Sequence, residues 1–139
     1  MIYAIEAVLF IAYNAREAPV SGVRVAQAQN LPTRYLEPLM QKLVRAGILR
    51  GVRGPTGGYL LGRERRRITL ADISAILSDK NTLPTCATAL GKKIVHPVGQ
   101  ELMLRWQEEL ASVTLADLCD RATGYNIATT ASITNDFTI

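Results

Sequence analysis

A mainly α-helical fold carrying one small β-hairpin is predicted by three features of this 139-residue sequence. Apolar residues recur at helical spacing through much of the chain. The period breaks once, around a loop rich in glycine and proline. The tetrapeptide Thr-Leu-Ala-Asp occurs twice, at residues 69 and 114, as a helix-start signal.

Ile5, Val8, Leu9 and Ala12 follow i, i+3, i+4, i+7 spacing, with Phe10 and Ile11 widening the stripe, so Ile2 to Ala15 reads as a mostly buried helix. Pro19 marks a turn, and Ser21 is suited to cap a short helix over Val23 to Gln29. Thr33 to Ala46 is the most informative helix. At about 100° per residue, Leu36, Leu39, Met40 and Leu43 fall on one side, while Arg34, Glu37, Gln41 and Arg45 share a narrow arc on the other. Gly47 is suited to end this helix as a C-cap glycine. Pro38 is a discord, since it removes a backbone donor and presses its ring on the preceding turn.

Beyond Gly47, Ile48 to Val52 and Tyr59 to Gly62 read as two short strands joined by Arg53-Gly54-Pro55-Thr56-Gly57-Gly58, which makes a β-hairpin. Ile68-Thr69-Leu70 leads into a helix whose apolar side is Ile73, Ile76 and Leu77, with Thr69 and Asp72 in capping-box spacing. Residues 78–95 read as an irregular connection. From about Pro97 a long helix carries the seam Val98, Leu102, Trp106, Leu110 and an i, i+4 pair of Glu101 with Arg105. Thr114 to Asp117 reads as a second capping box and not as an internal repeat. From Ala122 the chain is rich in Thr and Ala with little periodicity, a loosely held extension. The resulting division is a helix-turn-helix head with a hairpin wing over 1–78, a linker over 79–95, a long-helix region over 96–121 and a tail over 122–139.

A chain of this length suits one domain, or a small head with accessory helices. With 48% hydrophobic and 20% charged residues, the composition is globular and not disordered. Neither a run of about 20 apolar residues nor a secretion signal is present, which makes the cytoplasm the expected location. The single histidine has no nucleophile or metal-ligand neighbour at a motif spacing, and no phosphate-cradling Gly-x-x-x-x-Gly-Lys string occurs, so an enzyme is not expected. Residues 1–80 hold twelve Lys/Arg against six Asp/Glu, and residues 81–139 hold four against six. That asymmetry is the footprint of a polyanion partner, with a solvated basic face as the plainer explanation.

Tyr35-Leu36-Glu37, then 43–49, then the glycine-rich string 52–61, then 68–73 occur in this order. The ordered set resembles the IscR-like winged-helix regulators, the Rrf-two superfamily, from the first helix through Thr114 to Cys119. The resemblance implies a homodimeric transcription regulator, most naturally a repressor. Two heads would bind successive segments of double-stranded DNA in a pseudo-palindromic operator, with the long helices crossing. A recognition helix needs polar side chains that reach base edges in the major groove, and Arg34, Tyr35, Glu37 and Gln41 are the candidates. The acidic residue of the family's Tyr-Leu-Glu string contacts bases, which assigns that role to Glu37, with cytosine amino groups as its partners.

On the wing, Arg53 is suited to reach phosphate or the minor groove and Arg50 to support it. Gly57 and Gly58 serve either close backbone approach or turn geometry. Arg63, Arg65, Arg66 and Arg67 are either phosphate contacts or a solvated turn. The Val98 to Leu110 seam is either core or interface, and a partner subunit is its economical cover. A winged-helix protein-interaction module without DNA binding is the alternative function.

Several members of the family hold an iron-sulfur cluster through three cysteines and a histidine or an acidic residue. This chain has two cysteines, Cys86 and Cys119, and one histidine, His96. Counting back from Thr114, His96 falls where some members have their ligand histidine, but the cysteine positions fall at Lys93, Ala87 and Asn81, with Cys86 one position out of register. Two chains could in principle pool ligands. No cofactor is predicted. Cys119 reads as a core residue; Cys86 and His96 remain the sensor candidates, against a plain capping or exposed role for His96.

Overall fold

The computed structural model describes residues 1–16, 18–78 and 83–129. Residues 79–82 of the expected linker, which include Asn81, and 130–139 of the expected tail lie outside them.

Helix α1 spans Ile2–Asn14 and buries Ala4, Ala7, Val8, Ile11 and Ala12. Three of these are alanines, so neighbouring elements approach its backbone closely, while Ile5, Leu9 and Phe10 flank the stripe half-buried. Helix α2 spans Gly22–Ala28, and the Ser21 hydroxyl accepts from the Arg24 backbone N–H at 3.2 Å, as the sequence predicts for an N-cap.

Helix α3, Thr33–Arg45, buries Leu36, Met40 and Leu43. It ends in a Schellman motif. The N–H of Gly47 bonds to the Val44 carbonyl and that of Ile48 to the Leu43 carbonyl, both at 3.0 Å, with Gly47 at φ +76°. Pro38 lies inside the helix without ending it. The carbonyl deprived of its helical donor is that of Arg34, and both residues are exposed, so water can take the donor's place.

Strands β1, Leu49–Val52, and β2, Gly58–Leu61, pair antiparallel in the register Leu49 with Leu61 and Val52 with Gly58. A pairing that periodicity did not announce extends this hairpin: Val20 and Tyr59 exchange backbone hydrogen bonds at 3.0 and 2.8 Å. The segment before α2 is thereby stitched to the second wing strand. Arg65–Arg67 forms a 3-10 turn, and α4, Leu70–Leu77, starts at the Thr69/Asp72 capping box.

The expected linker is partly helical. Thr88 accepts the Gly91 N–H on its hydroxyl at 3.0 Å, a π-helical stretch follows over Gly91–Val95, and α5 runs on over His96–Ser112. Periodicity hid this start because Leu90, Ile94 and Val95 are exposed alongside Lys92 and Lys93, leaving no polar-apolar contrast. Leu83 folds over Gly99 of α5, where an added Cβ would lie 3.1 Å from its Cδ1.

Helix α6, Leu115–Gly124, begins at the second capping box and runs past residue 122, where the loose extension was expected. Its Leu115 and Cys119 belong to the same buried cluster as α1, so the core of the head reaches beyond residue 78. The Tyr13 hydroxyl donates to the Ile127 carbonyl, and Thr129 is buried, so this part of the tail is held against the head. Among the described residues, no helix is long and apolar enough to cross a membrane.

Candidate nucleic-acid interface

The polar arc of α3 is outside, as its period demands: Arg34, Tyr35, Glu37 and Gln41 are all exposed. Arg34 and Tyr35 are not independent. The guanidinium lies 5.1 Å from the centre of the Tyr35 ring, a cation-π contact that pre-orients a charge at the start of the helix.

Arg50 and Arg53 are exposed on the wing, and among the described residues neither they nor Arg34 form an ion pair. The wing loop is closed by the Gly57 N–H donating to the Gly54 carbonyl at 3.0 Å. A Cβ on Gly57 would lie 2.2 Å from the Val52 carbonyl oxygen, and one on Gly58 would lie 2.3 Å from that of Val20. Loop closure and the Val20 pairing therefore account for both glycines, and the Gly57 backbone donor is already engaged.

Between α3 and the wing lies a cleft of about 670 Å³. One wall carries Thr33, Leu36 and Glu37, the other Val52, Arg53 and Gly57, and Ser21, Gly22 and Tyr59 also line it. Of the residues singled out from sequence, Glu37, Arg53 and Gly57 meet around this cleft, while Arg34, Tyr35, Gln41 and Arg50 do not line it. Tyr59 was not among them, because its neighbours in the chain mark it only as a strand residue. Burial and then the charge of Glu37 push the Tyr59 phenol above its ordinary value, which keeps it protonated.

The arginines after the wing are mostly engaged within the chain. Arg63 lies 3.9 Å from Asp72, Arg66 pairs with Glu64 at 2.5 Å, and Arg65 donates to the Ala12 carbonyl at 3.4 Å. Arg65 also neighbours Cys119, whose thiol is pushed up by burial despite that positive charge.

This arrangement of helix, cleft and wing can be compared with known proteins. A family profile for Rrf2, described as an iron-dependent transcriptional regulator, matches residues 1–121. The chain belongs to the Rrf2 family. The HTH-type transcriptional regulator IscR of Xenorhabdus nematophila is 31% identical over 121 residues, covering 84% of this chain and 74% of that protein. Among solved structures, T. potens IscR superposes with a TM-score of 0.75 at 32% identity, over 94% of this chain and 90% of that one. CymR, described as the global cysteine regulator of B. subtilis, gives 0.70 at 30% identity, over 86% and 92%. This Rrf2 chain is thus a DNA-binding transcription regulator with a winged helix-turn-helix.

The family's iron dependence can be tested against the donors present. Cys119 is 2% exposed in the apolar core of the head, and Cys86 is half-buried, with its Sγ 3.2 Å from where a Gly91 Cβ would stand. His96, at the start of α5, is half-buried. Among the described residues, no three of His, Cys, Asp and Glu come together as metal ligands. The two cysteines of one chain fall short of the three that the family's cluster uses, and Cys86, Cys119 and His96 are not gathered among the described residues.

Proposed function

We propose that this Rrf2 regulator binds a pseudo-palindromic operator as a homodimer, with α3 in the major groove and the wing on the minor groove or backbone. What carries this is the cleft shared by the two reading elements: Glu37 stands on the α3 wall, and Arg53, without an ion pair among the described residues, on the wing wall. Glu37 would accept from cytosine amino groups, and Arg53 would supply the charge that draws the wing to the polyanion. Dimerisation is supported by α5, where Val98, Leu102 and Trp106 are 50, 58 and 52% exposed and Leu110 alone of the predicted seam is buried. A contiguous apolar stripe of this kind is covered most economically by its own copy.

The dimer would act in the cytoplasm as a repressor, by occupying its operator, and would have no enzymatic activity and no resident iron-sulfur cluster. Fluorescence anisotropy with a promoter duplex over a salt series tests the core of this. Binding should fall steeply with salt, Arg53→Ala should weaken it and reduce the salt slope by about 1, and Glu37→Ala should change which sequences bind. Absence of binding at low salt would overturn it; unchanged regulation after neutralising both residues would point to a protein-interaction module. Anaerobic purification should give a colourless, iron-free protein that still binds.

A further inference from the structure

With α3 in one groove and the wing in the next, a phosphodiester strand must cross between them, because that strand is what divides the two grooves. The cleft between α3 and the wing is the space left for it. We propose that Tyr59 is a DNA-contacting residue whose hydroxyl donates to a phosphate of the strand that crosses this cleft. The proposal rests on the placement of α3 and the wing given under Proposed function.

The position of Tyr59 is fixed from two sides. Its backbone is pinned to Val20 by the paired bonds at 3.0 and 2.8 Å, and its Cε2 lies 3.4 Å from where a Gly22 Cβ would stand. The Tyr59 side chain also packs, partly buried, against the hydrophobic core cluster and lines the cleft. The side chain is half-buried, and among the described residues its hydroxyl has no hydrogen-bond partner. A held phenol with an unused donor suits recognition, since little side-chain freedom is lost when it binds.

The charges in the cleft are mixed, since Glu37 repels a phosphate and Arg53 attracts one. Glu37 stands on the α3 wall, so a phosphate there needs donors close by, and Arg53 supplies charge from the wing. The nearby Glu37 carboxylate also opposes ionisation of the phenol, so the hydroxyl stays a donor. Tyr59 and Arg53 would therefore grip the backbone while Glu37 reads bases.

The test is Tyr59→Phe, which keeps the ring against Gly22 and the backbone pairing with Val20. The expected result is about tenfold weaker binding on both the operator and a random-sequence duplex, because phosphate contacts carry no sequence information. The salt slope should stay as in the wild type, since a neutral group is lost, whereas Arg53→Ala should lower it. Wild-type affinity for Tyr59→Phe alongside weakened Arg53→Ala overturns the proposal and leaves the wing assignment standing. Unchanged binding in both variants sinks the underlying DNA-binding geometry. A change of base preference without a uniform loss overturns the phosphate contact, since the hydroxyl would then act through Glu37. If Tyr59→Phe does not fold, duplexes with single neutral methylphosphonates replace it: substitution at the phosphate crossing the cleft should weaken the wild type, and tolerance at every such position overturns the proposal.

Discussion

Thr69 and Thr114 face each other across an isolated antiparallel bridge, each at the head of the same Thr-Leu-Ala-Asp box. The Leu70 N–H bonds to the Val113 carbonyl at 3.0 Å and the Leu115 N–H to that of Ile68 at 2.8 Å. The end of α5 is thus fastened to the segment that leaves the wing, and two helix starts share one joint.

Each cap should contribute separately to stability. Thr69→Ala and Thr114→Ala should each cost about 1 kcal/mol, read by thermal or urea unfolding. The Asp117 carboxyl is held below its ordinary value by the Thr114 backbone N–H and then by the Thr114 hydroxyl. A depressed folded value means its contribution is present above the unfolded carboxylate value and lost as pH falls through the folded one. Asp117→Asn should therefore melt below the wild type at pH 7 and converge with it under strong acid. A gap that persists unchanged there would contradict the assigned hydrogen bonds.

The wing offers a comparison among glycines. Gly57→Ala and Gly58→Ala drive a Cβ to within 2.2 and 2.3 Å of backbone carbonyls, while Gly51, in β1, has nothing within 4 Å. The first two should destabilise by about 1–3 kcal/mol and weaken DNA binding, and Gly51→Ala should do neither. Circular-dichroism melts and anisotropy on the three proteins check this; equal tolerance would refute the close approach.

The exposed α5 stripe predicts its own variant. Leu102→Arg should convert the proposed dimer to a monomer in sedimentation velocity while leaving the melting of the head nearly unchanged, because Leu102 is 58% exposed in the single chain. Operator affinity should fall with it. A Leu102→Arg protein that still sediments as a dimer would remove α5 from the interface.

The two thiols should differ in reactivity. Cys119 is buried and its thiol is pushed above its ordinary value by burial, whereas Cys86 is half-buried outside the head core. A thiol reagent at neutral pH should modify Cys86 readily and Cys119 only on unfolding. Equal rates in the native protein would contradict the packing of α6.

Much of the fold was legible because it is written in short-range chemistry. The exposed arc of Arg34, Glu37 and Gln41, the Gly47 stop, and both capping boxes depend on residues within about four positions of one another, the reach of a helical turn. The same periodicity missed the helical start at Thr88, whose first turns are exposed all round, and the continuation of α6 past Ala122.

The sequence by itself determined the order of helices and hairpin, the polar face of α3, the basic wing and the lack of a three-cysteine pattern. Only the tertiary structure decided that Val20 pairs with Tyr59, that Thr69 meets Thr114, and that Glu37, Arg53 and Tyr59 surround one cleft. The reason is separation along the chain. A helical turn joins near neighbours and leaves a repeating signature, whereas single bridges between distant residues have no period, and form only where packing of the core brings their backbones together.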